Sequence, residues 1–137
     1  MKKRIMALDF GEKRIGVAVS DYLGIIARPY TTITFSCLSE AIGQIKEICD
    51  KEQIGQIVIG LPVNLKGKIG LQAKKTQQFV QAMQKEIRLP MVFQDERFSS
   101  KEAEKILTER GIKGRKNKVD ALAAVLILNH YLERDNV

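Results

Sequence analysis

The stretch IMALDFGEKRIGVAVSD, residues Ile5 to Asp21, decides the reading of this chain. Four apolar residues, Ile5 to Leu8, run directly into Asp9; Phe10, Gly11, Lys13 and Arg14 lead to a second apolar run over Ile15 to Val19. Such unbroken runs with β-branched ends fit strands buried on both faces. Gly11 and the short polar connection predict a tight hairpin. One carboxylate, Asp9, is thereby left at the exit of a buried strand. Burying an unpaired charge is costly, so Asp9 must pair, protonate or hold a metal. A turn cap, or a salt bridge to Lys13 or Arg14, would serve as well as a metal, and this stretch alone leaves those readings level.

Working outward, Ile25 to Phe35 is rich in β-branched and aromatic residues, and Pro29 predicts an edge strand because it cannot donate to a ladder on its far side. A helix is expected from Ser39, with Leu38, Ala41, Ile42, Ile45, Ile48 and Cys49 on one face and Gly55 at its end. Ile57 to Ile59 reads as a short buried strand leaving through Gly60-Leu61-Pro62. Asn64 to Gly70 (NLKGKIG) reads as a mobile loop. A helix over Leu71 to Ile87 turns Ala73, Thr76, Val80, Met83 and Ile87 inward, with Phe79 beside them. Met91 to Phe93 is a further short strand, leading to Gln94, Asp95, Glu96 and Arg97. Ser99 and Glu102 have capping-box spacing for a helix ending near Gly111. A second basic loop covers Lys113 to Lys118, and Asn117 is a candidate cap for the last helix, with Asp120 in its first turn. There Val119, Leu122, Ala123, Leu126 and Ile127 form an apolar stripe, and Ala121, Ala123 and Ala124 leave room for close approach to a sheet. Three strands followed by alternating helices and strands predict an α/β fold: a five-stranded mixed sheet with helices on both faces.

The 137 residues suit one domain, 1–137, able to bury roughly two-thirds of its unfolded surface. No apolar run approaches the ~20 residues of a membrane span, and the N-terminus lacks an export signal, so a cytoplasmic protein with no membrane partner is expected. Two cysteines, Cys37 and Cys49, have neither metal spacing nor a disulfide framework; both are expected reduced, in the interior or at its margin. The net charge of +7 favours a polyanionic partner. No acid occurs from Gln53 to Lys85, where Lys66, Lys68, Lys74, Lys75 and Lys85 lie, nor from Arg110 to Lys118, which holds Lys113, Arg115, Lys116 and Lys118 as well. These read as solvated loops or as two arms for phosphates.

The acids stand at telling places. Asp9 ends the first strand, Asp95 and Glu96 end the last, and Asp120 opens the final helix. Parallel strands put their carboxyl ends along one edge, where ligands bind. Two carboxylates ~4 Å apart repel by about 4 kcal/mol at an effective dielectric near 20, so a cluster of three requires a cation. Oxygen ligands without Cys or His suit Mg²⁺ or Mn²⁺, and a pair of such ions can activate water against a phosphodiester. The plainer uses are a Glu96–Arg97 pair and an Asp120 that favours its helix N-terminus.

ALDFGEKRIGVAVSD, IVIGLPVNLKG, DERFSS and VDALAAVLILNHYL together resemble the YqgF family, whose members are also called Holliday junction resolvases or pre-16S rRNA nucleases. The motifs cover the chain nearly end to end and in order; Ser100, where Thr is as common, is a mild departure. The resemblance implies an RNase H-like fold similar to the RuvC resolvase, and a metal-dependent nuclease of structured nucleic acid. It implies catalytic and metal-binding roles for Asp9, Glu96 and Asp120. The partners it implies are structured RNA, with the 5′ end of precursor 16S rRNA favoured, or branched DNA at a Holliday junction, for a monomer or a homodimer. Lys13, Arg14, Lys66, Lys68, Arg97, Lys113, Arg115, Lys116 and Lys118 are the candidate nucleic-acid contacts. Two other classes compete. Actin-like ATPases use a similar Asp-x-Gly hairpin, but they close two such domains around ATP. A non-catalytic RNA-binding module would use the basic loops alone, and divalent-dependent cleavage separates it from an enzyme. Phe10, Phe93 and Phe98 flank the acids and are expected in the core, and His130 is expected near the end of the last helix at the surface.

Overall fold

The computed structural model describes residues 3–62, 70–96 and 116–135, and of residues 96, 116–119, 134 and 135 the backbone alone. The elements are β1 (Arg4–Phe10), β2 (Arg14–Ser20), β3 (Ala27–Thr34), α1 (Leu38–Lys51), β4 (Ile54–Pro62), α2 (Leu71–Glu86), β5 (Met91–Glu96) and α3 (Lys116–Asp135). The strands form one sheet in the order β3-β2-β1-β4-β5. β1 runs antiparallel to β2 and parallel to β4, and β4 runs parallel to β5. The expected mixed sheet with helices on both faces is therefore present. The expected mobile loop NLKGKIG, the second basic loop over Lys113 to Lys118 and the helix from Ser99 lie outside the described residues, apart from Gly70 and residues 116–118.

The hairpin closes as the sequence suggests, with Gly11 N–H donating to the Arg14 carbonyl at 2.8 Å. A Cβ on Gly11 would stand 2.8 Å from that same oxygen, so the turn depends on glycine's bare backbone. At the other end of β2, the Asp21 carboxylate accepts from the Ile25 and Ile26 N–H groups at 2.7 and 3.1 Å, closing the next turn. These bonds, Ile26 first, hold its carboxyl below the usual range.

The two faces of the sheet differ in bulk. One side buries Met6, Leu8, Ile15, Val17, Ile57 and Ile59 against Ile45 of α1 and Phe79 and Met83 of α2. Fully burying such a side chain is worth about 1.5–3 kcal/mol, so this layer carries most of the apolar stabilisation. The other side presents Ala7, Ala18 and Val58 to Ala124, Val125, Ile127 and Leu128 of α3. Ala121, Ala123 and Ala124 are all buried, as the small-residue stripe predicts.

Several boundaries differ from expectation. α1 begins at Leu38 with Cys37 as its N-cap, and ends at Lys51; Gln53 takes a left-handed φ of 55°, and Gly55 lies inside β4. β4 and β5 extend past the short apolar runs that announced them, because polar and glycine positions continue the ladder. Lys116, Asn117 and Lys118 are in α3, so Asn117 is not its cap and these three residues are not part of a loop. Cys37 is exposed while Cys49 is buried, so only the second meets the expected placement. No described helix is long and apolar enough to cross a membrane.

Candidate active site

The carboxyl ends of β1, β4 and β5 lie along one edge of the sheet, and the acids collect there. Asp9 is the penultimate residue of β1 and is half-buried. Along β1 the pleat sends Met6 and Leu8 to the α1/α2 side and Ala7 to the α3 side, so Asp9 belongs to the α3 side. Its cross-strand partner is Gly16. A Cβ at Gly16 would collide with the Asp120 carbonyl and lie 3.0 Å from Ala121 N. The backbone of α3 at Asp120 is therefore seated on the one bare position of β2 that faces Asp9, which brings Asp120 within about a strand spacing of it. Asp120 is the fifth residue of α3, past the first turn, where the macrodipole gives an acid little reason to stand.

Arg14, at the start of β2, donates from Nε to Asp120 Oδ2 at 2.7 Å. The side chains are 31% and 22% exposed, so the pair is only partly screened. Arg14 thus pairs with Asp120, a partner the sequence did not announce, and Asp9 has an interaction of its own. Lys13 is exposed at the turn. Lys66, Lys68, Arg97, Lys113 and Arg115 lie outside the described residues, and Lys116 and Lys118 are described as helix backbone.

Glu96 is the last residue of β5, opposite Pro62, and its side chain is outside the described atoms. Among the described residues no three metal-binding side chains cluster. Gln94, two residues earlier, was not anticipated. The register Leu8–Ile59–Phe93, advanced by one, sets Asp9, Gly60 and Gln94 in one row. Gly60 puts no side chain between the other two. Gln94 Oε1 is buried and, among the described residues, has no hydrogen-bond partner. A buried unsatisfied carbonyl oxygen costs about 1–3 kcal/mol, so its presence beside this edge is a lack that a cation or a ligated water would fill. A donor set of two carboxylates and a neutral oxygen, all hard, fits Mg²⁺ or Mn²⁺.

The hairpin turn is also tied to α2. Lys75 Nζ donates to Glu12 Oε1 at 2.7 Å, and Gln72 Nε2 donates to the Phe10 carbonyl at 3.1 Å. The Lys75 hydrogen bond lowers the Glu12 carboxyl below its ordinary range. Phe10 stacks on Phe79 at 4.4 Å between centroids and on Phe35 at 6.1 Å, so it belongs to the core as expected. Phe93 does not: it is 40% exposed, because β5 is an edge strand in the described sheet. Phe98 lies outside the described residues. His130 is half-buried within α3.

Two of these residues had a legible signal. A glycine inside an apolar strand marks a close backbone approach, which Gly16 proves to be. A Gln one pleat period before Glu96 shares its side of the strand.

A family model described as "RuvX: Holliday junction resolvase" matches residues 3–134. A "Putative pre-16S rRNA nuclease" of Syntrophomonas wolfei is 43% identical over 132 residues, 95% of this chain and 94% of that one. One of the same name from Thermoanaerobacter pseudethanolicus is 41% identical over 133 residues, 95% and 96% of the two chains. Among solved structures, T. thermophilus RuvC in complex with Holliday junction substrate superposes with a TM-score of 0.62 at 16% identity, covering 98% of this chain and 96% of that one. The fold is thus RuvC-like, the RNase H-like architecture.

Proposed function

The chain belongs to the RuvX family of Holliday junction resolvases, and from that premise we propose that it is a divalent-metal-dependent nuclease whose favoured substrate is the 5′ end of precursor 16S rRNA. The name shared by its relatives at about 40% identity favours RNA over the branched DNA of the family description. The observation that carries the reading is the seating of Asp120 on Gly16, across the ladder from Asp9. Two carboxylates brought to one strand edge repel; Arg14 offsets part of that repulsion, and a divalent cation would offset the rest.

Asp9, Asp120 and Glu96 are the proposed catalytic carboxylates and metal ligands, with Gln94 as a neutral oxygen donor. The pleat of β5 supports Glu96 over Asp95. Val92 packs on the α3 side and Met91 on the other, so position 96 alternates with 92 to the side of Asp9 and position 95 does not. Bound Mg²⁺ or Mn²⁺ would supply a nucleophilic hydroxide and neutralise charge at the scissile phosphate. The chain's own part is to hold the carboxylates on three rigid elements and to offer cations at the rim, of which Lys13 is among the described residues. An enzyme acting on precursor rRNA works in the cytoplasm.

The test is purified protein with Mn²⁺ or Mg²⁺ on precursor rRNA and on a four-way DNA junction in parallel. Precursor rRNA should be cleaved faster. Asp9→Asn, Glu96→Gln and Asp120→Asn should each lose on the order of 100-fold or more in single-turnover rate while still binding, and Asp95→Asn should lose little. Cleavage that persists with chelator, or an inert Glu96→Gln, would sink the assignment. Faster junction cleavage would move the substrate to DNA.

A further inference from the structure

The Arg14–Asp120 contact has a place in this site that neither core packing nor simple substrate binding accounts for. Arg14 alternates along β2 with Gly16 and Ala18, on the side that meets α3. Its backbone is pinned: its carbonyl accepts from Gly11 N–H, and it pairs with Thr34 across the sheet. Asp120 is equally fixed, because its own backbone rests on Gly16. The two side chains therefore meet whenever α3 is docked, and the pair is made through Nε at 2.7 Å.

We infer that Arg14 is the resident counter-ion of the candidate metal site: it holds Asp120 until a divalent cation displaces it, and the released guanidinium then takes a phosphate of the nucleic acid. The inference rests on the metal site proposed above. A divalent ion held by Asp120 would share that carboxylate with the guanidinium, and like charges sharing one carboxylate repel. Of the groups involved, the arginine side chain is the most exposed and yields most easily. Its stem is flexible and its surface is 31% exposed, so solvent is within reach, whereas both backbones are locked. A planar guanidinium suits a phosphate as well as a carboxylate, so it exchanges one anion for another without losing its bonding. The arrangement accounts for the tolerance of two nearby carboxylates without metal, and it couples metal entry to substrate capture through one residue.

The experiment titrates Mn²⁺ alone by calorimetry into the full chain as wild type, Arg14→Gln, Arg14→Lys, Asp9→Asn and Asp120→Asn. It then measures RNA binding at saturating Mn²⁺. Arg14→Gln should bind Mn²⁺ about 5-fold more tightly than wild type. Arg14→Lys, which keeps the charge, should stay near wild type. With Mn²⁺ saturating, Arg14→Gln should bind precursor RNA about 10-fold more weakly. In the unmodified protein, the Arg14 Nε–H resonance should shift and exchange faster on adding Mg²⁺, a reading that does not depend on any variant folding. Equal or weaker Mn²⁺ binding by Arg14→Gln, or an Nε–H signal indifferent to Mg²⁺, overturns the counter-ion role while Asp9→Asn and Asp120→Asn still abolish Mn²⁺ binding. If those two bind Mn²⁺ as wild type does, the metal site itself is wrong and this inference falls with it.

Discussion

Gly16→Ala tests the joint on which the site is built. The added methyl would sit inside the van der Waals envelope of the Asp120 carbonyl, and backbone atoms lie on both sides of the clash. Carbon and oxygen need about 3.5 Å, so α3 must retreat by on the order of an ångström at Asp120, with no flexible side chain to absorb the strain. Overpacking of this kind costs about 1–3 kcal/mol. For a domain of this size that lowers the melting temperature by roughly 4–12 °C. The same retreat misplaces one carboxylate relative to the other, and ~1 Å of misplacement can cost ~100-fold in turnover. The assay pairs thermal melts, with and without Mn²⁺, with single-turnover cleavage. Gly43→Ala is the control: it is an exposed position within α1, and a Cβ there meets nothing within 4 Å. It should stabilise by up to about 1 kcal/mol through helix propensity and leave cleavage unchanged. A Gly16→Ala protein that melts and binds Mn²⁺ like wild type would refute the close seating of α3 and the convergence of the carboxylates with it.

Changing Lys113, Arg115, Lys116 and Lys118 together to Ala should weaken RNA binding at low salt and flatten its salt dependence by several units, about 0.7–0.9 per phosphate contact, while turnover at saturating RNA falls little; an unchanged slope would remove these residues from the interface. The thiols should separate cleanly. Cys37 is exposed and lowered in pKa by the Ser39 hydroxyl and the Glu40 N–H, whereas burial, aided by Asp50, pushes Cys49 up to about 11. A maleimide near neutral pH should therefore label Cys37 alone in the native protein and Cys49 only after unfolding; equal native rates would contradict the packing of α1.

The sheet was legible because its signals are local. The apolar runs about Asp9 and the hairpin glycine announce β1 and β2, and the 3.6-residue spacing of Ala73, Thr76, Val80 and Met83 announces α2. Element ends were less legible. β5 continues through Gln94, Asp95 and Glu96 because parallel pairing with Gly60 to Pro62 satisfies their backbone, a partner no local pattern displays. Of the site, the acids could be picked out singly from their places along the chain. A common edge for them could also be expected from the ends of parallel strands, but the partner of Arg14 could not. That Arg14 turns to Asp120, 106 residues away, follows from the docking of α3 on Gly16 and from nothing near Arg14 in sequence.

The small-residue face has a temporal meaning. α3 closes over β1, β2 and β3, and a chain made at roughly 5–20 residues per second exposes that face for several seconds before residue 135 is joined. Ala7, Gly16 and Ala18 offer an exposed nascent sheet little for other chains to adhere to, whereas Met6, Leu8 and Ile57 lie on the side that α1 and α2 cover sooner. Asp120 likewise reaches its seat on Gly16 only after all five strands have been made. In the proposed nuclease, a chain that still lacks α3 lacks one of its candidate metal ligands, so cleavage waits on the docking of that helix.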